Sequence, residues 1–394
     1  MKLDVGQLIE TIKQQLRADY APPHTKRDAH PKMHGCVQAV LEVLEPSAVD
    51  AGGTADDVRA VRRGIFAPDA KREYLAWVRF SNAFQFQHDL EFETRGMAIK
   101  VLGADPDDPA CHQDFLLATF DAFFLPGTDH YIEFFNAAHD SPAAVFRFFT
   151  RHHYYYGAYC LARSMFTTAM NPLAIAYSSQ TPYHLGPDRY VKVRARPVLT
   201  SDLAAALPNV LWFWAKAVVA NIGITGRELT GRAKADAEAW CDRYIEKHDF
   251  LRHAMMDFLA SHDAMFDIDV QLWPEGGEPP DDGTYRWPAS LPFYRVARLT
   301  IPRQVFWPVS GMPPHIAKET AAMVDLGEDM SLRPWHTIAE HEPFGSINHL
   351  RRKVYEAIAT FRHDENRAGD PEAFLVREYD RLKPFVQVGL TEPT

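Results

Sequence analysis

Arg351, Tyr355 and Arg362 fall within one run, Gly345 to His363, reading GSINHLRRKVYEAIATFRH. Ile347, Leu350, Val354, Ile358 and Phe361 recur there at spacings of three and four, which predicts an amphipathic helix entered through Ser346 after Pro343. On that helix two guanidinium groups and one phenol lie on or beside the buried stripe. Arginine is seldom buried without an anion. A nearby guanidinium and a bound ferric ion both favour the phenolate over the phenol, and tyrosinate is one of the axial ligands that haem iron takes. Arg362 would then face a second negative group such as a propionate. The plainer alternative has both arginines reaching water along their stems while Tyr355 packs in an ordinary core.

Upstream stretches offer further candidates. In PKMHGCVQAVLEV, Val37, Ala39, Leu41 and Val43 alternate with Gln38, Val40 and Glu42, so a half-buried strand is expected with His34 at its mouth. His30 lies four residues earlier, but Pro31 between the two argues against a helical metal pair. Ala76 to Ser81 and Gly96 to Leu102 read as two strands of a hairpin around a polar loop, Gln85 to Glu93. Phe123, Phe124 and Tyr131, in and after QDFLLATFDAFFLPG, could wall a pocket or simply fill core.

Taken in order, these stretches resemble the haem catalases and their small bacterial catalase-related peroxidases, cousins of the coral allene oxide synthase. The resemblance rests on Arg351-x-x-x-Tyr355 with Arg362 seven residues later, on Arg79-Phe80-Ser81, on Arg95-Gly96-Met97-Ala98-Ile99-Lys100, and on the setting of His34. It implies that Tyr355 is the axial ligand of the ferric iron of haem b with Arg351 beside it. Arg79 would meet a propionate, and Ser81 would support the distal histidine. That histidine would be His34, a neutral imidazole able to carry a proton from one peroxide oxygen to the other as the O–O bond breaks. Aligning Phe123 and Phe124 on the family's Asn-Asn-Thr-Pro-(Val/Ile)-Phe-Phe puts Thr119 at the distal asparagine. A hydroxyl donates one hydrogen bond where an amide donates two, so peroxide orientation would differ. Phe124 and Tyr131 would wall the haem pocket. The segments NPLAIAYSSQTPYHLG and PWHTIAEHEPFGSIN also resemble the small relatives.

With 394 residues, 46% hydrophobic and 12% aromatic, the chain can bury a large core. A formal charge of −10 argues against a nucleic-acid partner. Cys36, Cys111, Cys160 and Cys241 have no C-x-x-C spacing, which points away from zinc and disulfide frameworks and toward a reducing compartment. The N-terminal stretch has apolar residues among charges and reads as an amphipathic helix, so a cytoplasmic protein is expected. Residues 202–225 are the most apolar, but Pro208, Asn209, Lys216 and Asn221 interrupt them, and no transmembrane span is expected.

The expected fold is α+β: an antiparallel eight-stranded catalase-like β-barrel with inserted and flanking helices, in a single haem domain over 1–394. Its parts would be a helix over 1–20, the barrel over ~30–310, and a wrapping segment with the proximal helix over ~311–394. The implied activity is reduction of hydrogen peroxide or organic hydroperoxides by a haem peroxidase or catalase. The alternatives are conversion of fatty-acid hydroperoxides, or a haem-binding or sensing protein without turnover. The sequence leaves the reductant open, and a homo-oligomer is compatible with it.

Overall fold

Alternating apolar residues let each strand bury one side, and here the strands form a sheet that closes on itself. The computed structural model describes residues 4–50, 53–83, 89, 92–166, 169–207, 249–368 and 375–388. Its strands are β1 (Met33–Ala48), β2 (Glu73–Asn82), β3 (Arg95–Val101), β4 (Gln113–Ala118), β5 (Tyr177–Ser178), β6 (Tyr183–His184), β7 (Tyr190–Pro197), β8 (Ala264–Leu272) and β9 (Phe293–Ile301). They run in the order β5-β4-β3-β2-β1-β9-β8-β7-β6. Strand β5 also pairs with β7, at Tyr177↔Ala195 and Ser178↔Arg194, which shuts an antiparallel barrel of eight strands and leaves β6 as a hairpin on β7. Val37, Phe80, Ile99, Phe266, Ile268 and Leu299 belong to its buried core. Pro46, which has no N–H to give a ladder, sits within the register shift between Val43 and Ser47 of β1.

The helices are α1 (Val5–Asp19), α2 (Ala55–Ala60), α3 (Tyr131–Asp140), α4 (Pro142–Arg151), α5 (Tyr155–Met165), α6 (Ser201–Ala206), α7 (Phe250–Leu259), α8 (Pro314–Asp329), α9 (Ser346–Asn366) and α10 (Leu375–Val388). Helix α9 is the expected amphipathic helix, and its start is fixed by chemistry. Gly345 adopts φ 94°, a conformation that side chains resist, and the Asp281 carboxylate accepts from Ser346 N (2.9 Å) and Ser346 Oγ (3.1 Å). Leu350, Val354, Ile358 and Phe361 of α9 then pack on Leu8, Ile12 and Leu16 of α1 and on Phe135 of α3. Most of the apolar stretch 202–225 lies outside the described residues. Among the described residues, no helix is long and apolar enough to cross a membrane.

Candidate active site

Strands β2 to β4, α9 and the chain before β1 enclose a cavity with about 990 Å³ of empty space. Arg27, His30, Arg79, Ser81, Gly96, Ala118, Arg351, Tyr355 and Arg362 line it. A second lobe, about 820 Å³, is walled by Phe123, Phe124, Tyr131, Phe134 and Phe135 and shares His30, Ala118, Gln180, Arg351 and Tyr355 with the first. Phe124 and Tyr131 therefore lie on the aromatic lobe. Burial pushes the Tyr131 phenol well up, and the neighbouring Tyr355 adds to this, so Tyr131 stays neutral.

On one side the cavity is floored by α9. Tyr355, Ile358, Ala359 and Arg362 face it, at the three- and four-residue steps of one helix face. Arg351 lies one turn before Tyr355, 3.4 Å from Asn348 Oδ1 and over the Phe123 ring at 5.2 Å. Arg351, Tyr355 and Arg362 thus share the cavity, as their spacing suggests.

The opposite wall differs from expectation at two positions. His34 is 1% exposed and does not reach either lobe; its Nε2 meets Asn82 Oδ1 at 2.7 Å, and its Nδ1 lies 3.8 Å from Asp89. The histidine common to both lobes is His30, while His139 lines the aromatic lobe alone. The Nδ1 of His30 is 3.0 Å from Ser81 Oγ, its carbonyl accepts from Arg79 Nη1 at 3.0 Å, and its N–H donates to Ala83 O at 2.8 Å. Backbone φ of 62° at His30 is rare for a residue with a side chain, and such conformations persist where surrounding bonds enforce them. Gly96 makes room for the ring: a Cβ there would lie 2.5 Å from His30 Nδ1. Enclosure lowers the pKa of His30 to about 3, helped by Arg79, Arg351 and Arg27, so its imidazole is neutral at pH 7. Burial lowers that of His34 to about 4.

Thr119 is the second difference. Its hydroxyl donates to Ser164 O (3.0 Å) and accepts from Arg95 N (3.3 Å), and it lines neither lobe. Ala118, the last residue of β4, takes the place on the cavity. Ser81 lines the cavity, and its hydroxyl meets His30 rather than His34.

Arginines gather at the rim around the C-terminus of α8, whose last carbonyls lack partners within the helix. Arg79 Nε donates to Gly327 O (3.2 Å), Arg362 donates to the carbonyls of Glu328 and Asp329, and Arg27 donates to Met330 O. The Glu328 carboxylate lies 3.5 Å from Arg27 and 3.7 Å from Arg79. Burial works to raise the Glu328 pKa, but Arg79, Arg27 and Lys26 overcome it and hold it low. Arg27 Nη1 and Arg79 Nη2 are buried without a hydrogen-bond partner among the described residues. Burial disfavours the charged forms of both, and at Arg27 repulsion by Arg79 and Arg362 adds to it. A group carrying two carboxylates fits this rim, because it would complete those donors and balance the surplus charge. Arg27 was not evident from sequence; it lies in proline-rich irregular chain where no periodicity marks a facing side.

No family model matches the chain, and no curated protein matches it. Solved structures do. A fungal catalase superposes with a TM-score of 0.58 at 16% identity over 91% of this chain, and catalase A from Saccharomyces cerevisiae with 0.58 at 15% over 95%. The fold is catalase-like. A bacterial catalase gives 0.56 at 15% identity over 93% of the chain. The chain spans 63%, 68% and 63% of the lengths of the fungal, yeast and bacterial catalases, so the likeness covers the barrel and its helices but not the whole of those proteins.

Proposed function

We propose that this chain is a haem-dependent oxidoreductase, akin to the small catalase-related peroxidases, that reduces hydrogen peroxide or organic hydroperoxides. One observation carries the reading: the Arg351–Tyr355 pair and the His30–Ser81 pair line the same cavity, whose rim holds three arginines. Tyr355 would give the axial oxygen to ferric haem b, and Arg27, Arg79 and Arg362 would hold its propionates. When bound, the haem supplies an iron centre that takes oxidising equivalents from a peroxide.

The protein's own part is proton handling and exclusion of water. In the tautomer whose Nδ1–H donates to Ser81 Oγ, the lone pair of His30 is on Nε2, ready to accept a proton from one peroxide oxygen and return it to the other. The aromatic lobe beside His30 would admit an organic hydroperoxide as well as hydrogen peroxide. Ala118 offers no donor to orient a second peroxide, which favours oxidation of an added reductant over disproportionation. The whole chain would act as one haem unit in the cytoplasm.

The test is an absorption spectrum of the haem-reconstituted protein with and without peroxide. Tyr355→Phe is expected to lose the haem or its native spectrum. An unchanged spectrum and haem content in that variant would remove Tyr355 as the ligand, and a haem that is bound but inert to peroxide would turn the reading to a sensing protein.

A further inference from the structure

Helix α9 presents a second stripe behind the cavity. Glu356, Thr360 and His363 follow one another at steps of four and three, one position round from Tyr355, Ala359 and Arg362, so the helix separates two spaces. On this outer side lies a groove with about 1060 Å³ of empty space, and it shares Ser331, Arg333 and Ala359 with the cavity as a common wall. Two of those three are small.

The groove differs in chemistry from the aromatic lobe. Glu356 and Thr360 supply acceptors, Arg333 supplies donors, and Trp335, with Arg352 over its ring at 4.7 Å, supplies an apolar aromatic edge. The polar groups are held in place from below. Arg333 Nε contacts His336 Nε2 at 2.7 Å, His336 Nδ1 contacts Asp114 Oδ2 at 3.1 Å, and Lys100 Nζ lies 2.9 Å from Asp114, the last two being fully buried. Trp335 is fixed by its Nε1–H to Asn348 O at 2.7 Å. A fixed array of donors, acceptors and one aromatic surface suits a small planar molecule bearing hydroxyl groups.

We infer that this groove binds the reducing substrate, a small hydroxylated aromatic one-electron donor, an inference that rests on the oxidoreductase reading above. Two donors each give up one electron and one proton, and one hydroperoxide takes up both pairs: ROOH + 2 AH₂ → ROH + H₂O + 2 AH•. The arrangement keeps the donor out of the lobe that receives the hydroperoxide, while Ser331 and Ala359 keep the intervening wall thin.

The experiment uses hydroquinone as the probe, titrated by calorimetry into the haem-loaded protein without peroxide, together with its KM in turnover. Thr360 is exposed on the groove, so Thr360→Trp fills it without disturbing the core. Thr360→Trp is expected to weaken hydroquinone binding and raise its KM roughly tenfold or more, whereas Thr360→Val, which keeps the space and loses only the acceptor, should weaken both by a smaller factor. Haem absorbance should be the same in all three proteins. Unchanged hydroquinone affinity in Thr360→Trp, or displacement of hydroquinone by an organic hydroperoxide, would overturn the assignment. Failure of the haem reading shows elsewhere, as a Tyr355→Phe spectrum identical to that of the unaltered protein.

Discussion

Two histidines four residues apart have opposite surroundings, and the difference decides which can work on a substrate. His30 presents its ring to a cavity and rests on Ser81, whereas His34 is enclosed by Asn82 and Asp89. Removal of a positioned proton shuttle typically slows a reaction by ~10²–10⁴-fold. His30→Ala is therefore expected to keep its haem and to react with peroxide more slowly by about that factor. His34→Gln should stay within a few fold of the unaltered rate. Stopped-flow mixing with peroxide checks both, and a slow His34→Gln beside a normal His30→Ala would restore the role to His34. The resemblance favoured His34 because the family's distal histidine stands just before the first barrel strand, and His34 stands at the mouth of the strand expected here. His30 precedes a proline, a position usually extended, and its left-handed backbone is enforced by partners from β2 and beyond that no local pattern reveals.

At the scale of elements, most of the barrel was legible because a half-buried strand must alternate and an amphipathic helix must repeat at three and four. The pairs Ala76–Ser81 within β2 and Gly96–Leu102 over β3 were foreseen on that ground, as was α9. The closure through the two residues of β5 was not, since so short a strand has no periodicity to read. Nor was the side chain that β4 turns toward the cavity at its end. Thr119 seemed the departure from the family asparagine, yet its hydroxyl is spent on Ser164 O and Arg95 N, and Ala118 lines the cavity. Ala118→Asn should therefore raise oxygen release from peroxide relative to donor oxidation, while Thr119→Asn should not; an oxygen electrode beside a donor assay measures the ratio, and a gain confined to Thr119→Asn would reverse the assignment. Strand β3 carries a sharper constraint. A methyl group at Gly96 would run into the His30 ring, so Gly96→Ala is expected to cost about 1–3 kcal/mol of stability and to slow the peroxide reaction much as His30→Ala does. A Gly96→Ala protein of full activity would show that the ring has room to spare.

Across the whole molecule, the buried histidines make stability depend on pH. Burial lowers the pKa of His34 to about 4 and of His341 to about 4, against 6.5 in an unfolded chain, and both side chains are 1% exposed. Between pH 6.5 and about 4 the unfolded chain binds a proton at each of these sites and the folded chain does not. Unfolding therefore takes up protons, and stability rises with pH through that window and is lost as pH falls. His30, lowered to about 3, acts in the same direction. Asp28 acts in the opposite one, because burial raises its carboxyl to about 6 from 3.8, so between those values the folded chain is the one that holds the extra proton. These two roughly offset; burial also lowers His184, which adds to the slope, and raises Asp325, which opposes it, so His34 and His341 are the largest contributors. Two protons correspond to a loss of about 3 kcal/mol for each pH unit near pH 5. The paired carboxylates Asp89, Asp114 and Glu328 keep their pKa values low, where charged partners outweigh burial, so their contribution is lost only below this range. The expected result is a urea midpoint that falls steadily from pH 7 to pH 5 at constant m-value, with the slope of His341→Gln reduced by about one proton. His341 packs against Phe66 and Phe115, accepts from Ile65 N at 3.1 Å and lines neither lobe, so this variant should leave the haem spectrum alone. A midpoint that did not move between pH 7 and pH 5 would mean that these rings gain their protons in the folded protein too.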